Sequence, residues 1–374
     1  MTTRHFNFWM ITTFLITTFG CKKTEQTPVA ERKNFHEIET YIQSLIDTGS
    51  IPGIAIAITN GKELAYSKGF GVTNVQTKEK LEPWHTFHVA SISKTFTATA
   101  IMQLSEKGKI DINKPLVTYL PYFKMNDERY RVITIKQMLN HTSGMPDVVD
   151  YEWEKAVSDE GAAERYTRSL ADQKMISNPG VEYHYSNIAY DVLGDLIAKV
   201  SGTPFEKYVK ENILNPLEMY EGSFYYPEVK KNLRTTPHKG KPPVVSSIYP
   251  YNRIHAPSST LNTNVLELSH WAIANIYEGK YKDKQIILPA TYAAMVTPTF
   301  SAYPDLNISM GLSWFIRPYK GFVNYTHDGG DLGYRSILTV IPEKKLGVVI
   351  LSNTEEIQIQ EVHDKILDIL LSDK

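Results

Sequence analysis

Apolar positions recur at helical spacing through Phe35, Ile38, Tyr41, Ile42, Leu45 and Ile46, and Gly49 follows where such a helix would stop. The run GIAIAIT, Gly53 to Thr59, reads as a strand. Asn60-Gly61 is a strong hairpin turn, and KELAYSKGFG supplies the partner strand. Phe96 to Leu104 reads as a buried helix, and Pro115 to Pro121 as a break. Ile133 to Leu139 precedes the loop NHTSGMPD. From Glu152 to Met219 the pattern is mostly helical, interrupted at SNPGVEYHYSN. Phe224 to Pro257, rich in Pro, Tyr and Lys, reads as a long irregular excursion, and Asn262 to Tyr277 is helical again. YRSILTVIP and KLGVVILSN form a second strand pair, and Glu356 to Leu371 a closing helix.

Strands therefore lie at both ends and helices between them. A sheet assembled from both ends, with strands joined by tight turns, predicts an α+β fold with an antiparallel sheet rather than a βαβ repeat. The expected division is an α/β part over about 35–110 and 258–371, with an inserted helical part over about 111–257.

The N-terminus has a different character. Arg4 and His5 precede an uncharged apolar and Thr-rich run, Phe6 to Phe19, too short to span a membrane as an ordinary helix. It has the layout of a secretory signal over residues 1–21. Gly20-Cys21, ahead of Lys22-Lys23, resembles a bacterial lipoprotein cleavage box, although Thr18 stands where an aliphatic residue is usual. The expectation is lipidation at Cys21, a polar tether over 22–34, and a globular domain over 35–371 in an exported, envelope-anchored protein. An ordinary signal peptide with an incidental cysteine is the competing reading.

Composition narrows the class. A formal net charge of -1 favours neither a nucleic-acid partner nor an acidic surface. One cysteine rules out an intrachain disulfide and thiolate zinc sites. No G-x-S-x-G elbow and no H-E-x-x-H helix occur, and Gly69-Phe70-Gly71 lacks the third glycine of a dinucleotide loop. No cofactor is implied.

Three segments can carry chemistry. Ser91-Ile92-Ser93-Lys94 places a hydroxyl and an amine one helical turn apart. Serine needs a base, and a buried lysine with a depressed pKa can be one. A helix start also offers N–H groups to an oxyanion. Equally, Ser91 or Ser93 could be an N-cap and Lys94 a solvent-facing residue. Tyr185-Ser186-Asn187 precedes an apolar-periodic helix. It offers a phenolic proton carrier and an amide, or simply a cap beside a packed aromatic. In THDGGDLGYRS, Gly329 and Gly330 precede a strand and allow close backbone approach, while His327 can titrate; a glycine-rich hairpin is the plainer reading.

Taken in order, Ser91-x-x-Lys94, Tyr185-Ser186-Asn187 and His327-Asp328-Gly329 resemble the three motifs of the serine β-lactamase and penicillin-binding protein superfamily. The likeness is nearest to class C β-lactamases and their esterase and D-peptidase relatives. PGIAIAI, HVASISKTFTA, KGKIDINKPLVTYLP, ITIKQMLNHTSGMPD, YSNIAYDVLGDLIAKVSG and IPEKKLGVVILSN extend it over roughly Phe35 to Leu371. The resemblance implies an antiparallel sheet flanked by helices, with the site between sheet and helical part. It implies Ser91 as acylated nucleophile, Lys94 as its base or base partner, Tyr185 as proton relay, and Asn187 holding Lys94 and substrate. The N–H groups of Gly330 and Ser91 would form the oxyanion site.

One departure matters. His327 stands where many relatives carry the lysine of K-T-G, which places a substrate carboxylate. The resemblance implies that esterases and D-amino-acid peptidases tolerate histidine there. The expectation is thus an ester- or amide-cleaving serine hydrolase acting on a small-molecule or peptide substrate. A D-Ala-D-Ala carboxypeptidase, a class C-like β-lactamase, or a non-turnover binding protein are the alternatives. Arg335 restores a cation only if its strand points it inward. Ser143 in HTSG is a rival serine read as a turn residue, and His141 as structural. Tyr225, Tyr226, Tyr249 and Tyr251 line the site or pack.

Overall fold

The computed structural model describes residues 1–2 and 29–372. The signal segment from residue 3 onward, Cys21 and the tether up to residue 28 lie outside the described residues. Helix α1 (Val29–Asp47) starts inside the stretch expected as tether. It leads into β1 (Gly53–Asn60) and β2 (Glu63–Gly71). Next come β3 (Phe87–His88), a 3-10 turn Ala90–Ile92 and α2 (Ser93–Glu106). The elements that bear on the site continue with α3 (Asn187–Ser201), α4 (Ala256–Ser259), β4 (Asn262–Thr263) and α5 (Val265–Ile276). Strands β5 (Phe300–Tyr303), β6 (Ile308–Met310), β7 (Phe315–Tyr319), β8 (Phe322–Asp331), β9 (Tyr334–Ile341) and β10 (Leu346–Ser352) then precede α6 (Ile359–Leu370).

Among the described residues the main sheet has eight strands in the order β2-β1-β10-β9-β8-β7-β6-β5, every pairing antiparallel. The expected closure from both chain ends is realised where β1 pairs β10, Ile54 facing Ser352 through Asn60 facing Leu346. Alternation along β1 sorts its side chains by face. Ile54, Ile56 and Ile58 pack against Ile38 and Ile42 of α1 and Val362 and Ile366 of α6. Ala55 and Ala57 face the larger core that includes Trp271 of α5 and Phe96 of α2.

Helix α2 is buried on every side from Ser93 to Leu104, which explains its apolar and threonine-rich sequence without a polar stripe. Its threonines do not go unsatisfied: Thr95 and Thr99 donate to carbonyls one turn back, and Thr97 to Pro257 O. A buried helix starting at the Ser91 turn fixes that turn from below.

Two local expectations change. Gly329 and Gly330 lie inside β8 rather than ahead of a strand. The polar run YTHDGGD hides a strand because its pairing, not its side chains, holds it there. The interval Glu152 to Met219 is less helical than its pattern suggests, with the chain from Gln173 to Ser186 in turns and extended backbone. That irregular stretch carries Tyr185 to the site.

Candidate active site

The Ser91 turn is held in an unusual conformation. Ala90 adopts a left-handed φ of 46°, costly for a residue with a Cβ. The turn persists because its neighbours determine it. Ser336 Oγ donates to Val89 O at 2.7 Å, Val89 N–H to Leu261 O at 2.9 Å, and Leu261 N–H to Ser93 Oγ at 3.0 Å. Ser91 is left half-buried at the surface of this frame.

Lys94 lies one turn on and is fully buried. Its Nζ donates to Ser91 Oγ at 3.0 Å, to Asn187 Oδ1 at 2.6 Å and to the backbone carbonyl of Ser258 at 2.7 Å. It also lies 5.0 Å from the Tyr185 ring centroid and 5.6 Å from that of Tyr190. Burial pushes its pKa down to about 8, against the opposing pull of Asp191, Asp331, Asp147 and Asp328. An amine so placed exists partly in its neutral form near pH 7, with a lone pair for the adjacent hydroxyl.

Asn187 opens α3, and Ser186 caps it by accepting from Ala189 N–H at 3.1 Å. The cap reading of that motif holds for Ser186, while Asn187 reaches the site. Asn187 Nδ2 donates to both carboxylate oxygens of Asp147, at 3.0 and 3.3 Å, which leaves Oδ1 to face Lys94. Tyr185 lies against Ser91. Burial raises its phenol well above the usual value, and the hydrogen bond with Ser91 opposes that rise. Tyr185 stacks on His141 with ring centroids 4.1 Å apart. His141 Nδ1 accepts from Ser186 N–H at 3.1 Å. So His141 orients the whole Tyr185–Asn187 corner. Ser143, buried, accepts from Met145 N–H at 3.3 Å, as a turn residue does.

Strand β8 closes the other side. Its pairing with β7 ends at Thr326, so His327 to Asp331 present a free edge beyond β7. Asp331 faces Tyr334 across a two-residue turn, and antiparallel alternation then aims the N–H of Gly330 away from β9 into that edge. A Cβ on Gly329 would stand 2.5 Å from Val89 O and 2.9 Å from Ser91 N, so the strand approaches the backbone of the Ser91 turn as only glycine permits. His327 is buried, with Nδ1–H donating to Asp328 O at 2.7 Å. Its Nε2 is then a lone pair, with no protein partner in its buried position. Burial, aided by the charge of Lys94, pushes its pKa down to about 4, so it is neutral near pH 7. Arg335 pairs with Gly330, on the sheet face opposite His327 and Gly329. Its guanidinium folds back to donate to Asp331 O and Tyr334 O, at 3.1 and 2.9 Å. It does not replace the missing lysine.

The structure thus brings together Ser91, Lys94, Tyr185, Asn187, His327, Gly329 and Gly330 from three chain segments. Residues that sequence reading missed are Asp147, the Ser258 carbonyl and the orienting role of His141. HTSGMPD contains two of them, but nothing in its pattern says where the loop lies. The tyrosines of the excursion mainly pack: Tyr226 stacks on Tyr249 at 3.9 Å, and Tyr249 donates to Asn262 Oδ1.

A half-buried Ser91 on a buried Lys94, beside a tyrosine and an open strand edge, is an arrangement suited to serine hydrolases. The Beta-lactamase family model matches residues 38–369, and the chain belongs to that family. It is 29% identical over 325 residues to Protein flp of Staphylococcus aureus (strain COL), covering 85% of this chain and 62% of that protein. The chain therefore spans less than two thirds of that relative. It is 27% identical over 352 residues to the putative penicillin-binding protein PbpX of Bacillus subtilis (strain 168), covering 93% of this chain and 81% of that one. Among solved structures, the octameric penicillin-binding protein homologue from Pyrococcus abyssi superposes with TM-score 0.79 at 25% identity, covering 90% of this chain and 77% of that chain. A class C β-lactamase superposes equally well, TM-score 0.79 at 21% identity over 93% and 99% of the two chains, a likeness of fold.

Proposed function

We propose that this chain is a serine hydrolase that cleaves an ester or amide through an acyl-enzyme at Ser91, of the esterase or D-amino-acid peptidase type. The observation that carries the reading is the 3.0 Å contact between Ser91 Oγ and a buried Lys94 Nζ whose pKa lies near 8. Neutral Lys94 takes the Ser91 proton as Oγ attacks the carbonyl. The N–H groups of Ser91 and Gly330 hold the oxyanion. Tyr185, neutral and against Ser91, passes a proton to the leaving group and later takes one from the deacylating water, while protonated Lys94 returns its proton to Ser91 Oγ as the acyl group leaves.

The character of His327 favours esters and peptides without a carboxylate at that end. Its free Nε2 accepts rather than donates, and a neutral acceptor repels a carboxylate that a lysine would attract. This disfavours the D-Ala-D-Ala carboxypeptidase and β-lactamase readings. We also propose export and anchoring at the bacterial envelope through Cys21. Retention of a Cys21→Ala variant in the membrane fraction would count against the anchor.

The test is intact mass after treatment with a serine-reactive phosphonate. One adduct on wild type and none on Ser91→Ala supports an activated nucleophile; a screen of esters, D-peptides and β-lactams then separates the activities. A folded wild type that takes no adduct overturns the reading and favours a binding protein that keeps the fold.

A further inference from the structure

The loop-strand-helix frame around Ser91 meets at one carboxylate outside the catalytic set. Asp331, at the tip of β8, has a side chain only 6% exposed. Its Oδ2 accepts from His88 Nε2–H at 2.7 Å and from the Ser259 hydroxyl. His88 is fully buried among Trp153, Tyr249 and Tyr334, and its other nitrogen has no partner.

Each of the three residues is a near neighbour of a catalytic group. Asp331 follows Gly330, whose N–H points into the open edge. Ser259 follows Ser258, whose carbonyl holds Lys94. His88 lies three residues before Ser91 and ends β3. The placement matters most for Gly330. Gly329 and Gly330 have no side chains to fix them, and β7 no longer pairs beyond Thr326. Asp331 is therefore the first residue after His327 whose side chain is tied to the helical side of the site. Its alternation puts it on the face of His327 and Gly329, toward the nucleophile.

We infer that Asp331 is a positioning residue for the acyl-transfer site, its carboxylate locking the Gly330 N–H, the Ser258 carbonyl and the Ser91 turn into one frame through Ser259 and His88. The inference rests on the acyl-transfer reading above. It also makes Ser259 and His88 the arms of the frame rather than a second nucleophile and base. Both donate to one oxygen of the same carboxylate, so Asp331 does not hold His88 from behind as a base toward Ser259.

The test is the kinetics of phosphonate labelling in the full chain, read as a maximal rate constant and a half-saturating concentration. Asp331→Ala is expected to lower the maximal rate constant about 100-fold while leaving half-saturation unchanged, because misplacement of an oxyanion donor acts on the transition state. Asp331→Asn keeps an acceptor for both arms and is expected to recover the rate to within about tenfold of wild type. Ser259→Ala removes one arm with little risk to folding and is expected to slow labelling about tenfold. Labelling of folded Asp331→Ala at the wild-type rate overturns the inference, as does no recovery in an Asp331→Asn protein with wild-type melting temperature. Should Asp331→Ala not fold, Ser259→Ala decides: a wild-type rate there overturns it. A wild type that takes no adduct removes the acyl-transfer reading and this inference together; a labelled wild type with an unaffected Asp331→Ala removes this inference alone.

Discussion

Asp147 holds Asn187 by two groups at once, accepting its backbone N–H at 2.7 Å and its Nδ2–H at 3.0 Å on the same Oδ1. An amide side chain has two faces, and this grip decides that the oxygen, not the nitrogen, meets Lys94. Asp147 is itself exposed, so the fold tolerates its loss. In Asp147→Ala the Asn187 amide is free to turn its NH2 toward the lysine. Labelling of Ser91 by a phosphonate should slow about 10- to 100-fold with an unchanged melting temperature. An unchanged rate would mean that Lys94 alone orients the amide.

The pH dependence follows from which form of Lys94 acts. In the proposed mechanism the neutral amine is the base, and burial places its pKa near 8, below the ordinary lysine value. The labelling rate should therefore rise about tenfold per pH unit up to pH 7 and level off above about 8. His327, near 4, and His141, pushed well below the ordinary histidine value by burial, are neutral throughout and should add no limb between pH 6 and 9. A flat profile over that range would remove Lys94 as the base.

Much of this site was visible in the residues. Ser91 and Lys94 lie three apart at a helix start, but the pair alone reads as readily as an N-cap and a surface lysine; its order with Tyr185-Ser186-Asn187 and His327-Asp328-Gly329 singled it out. The terminal strand pairs were legible too, since Ile54, Ile56 and Ile58 alternate with alanines on one strand. β5 to β8 were not: β8 buries the polar Asn324 and Thr326 and leaves Val323 exposed, so its apolar positions do not mark the buried face, and antiparallel pairing overrides weak propensity. Asp147 and Ser258 were invisible for a different reason. One acts through a side chain from a distant loop and the other through a backbone carbonyl, which any residue type could supply.

Tyr185→Phe separates the two chemical steps. The phenol lies against Ser91 and, apart from Lys94, is the proposed proton carrier there, and the substitution keeps the stack on His141. With an ester substrate, turnover should fall about 100- to 10,000-fold. The acyl-enzyme should accumulate and be seen by intact mass, since an activated leaving group needs less proton delivery than the attacking water needs proton removal. Turnover near the wild-type level would transfer that role to another group.

His327→Lys tests why histidine stands at the strand edge. A second ammonium near Lys94 makes protonation of both less favourable, so the rising limb of the labelling profile should move to lower pH. The new cation should also speed acylation by benzylpenicillin, whose carboxylate the histidine's lone pair does not attract. A variant that folds but shows neither change would mean that His327 does not face the substrate.

Gly329→Ala probes the contact between β8 and the Ser91 turn. The added methyl would lie 2.5 Å from Val89 O and from Ser336 Oγ, and 2.9 Å from Ser91 N. Two of those neighbours are backbone atoms of the strained Ser91 turn, so the strand must move away instead. Overpacking of this kind costs about 1–3 kcal/mol, and the shift carries the Gly330 N–H with it. Phosphonate labelling should fall at least about 100-fold, as for loss of an oxyanion donor. Gly161→Ala is the comparator, since its methyl would meet chiefly the flexible end of Arg165, and it should label normally. Normal labelling of Gly329→Ala would show that the strand edge has room to spare, and would take Gly330 out of the oxyanion site.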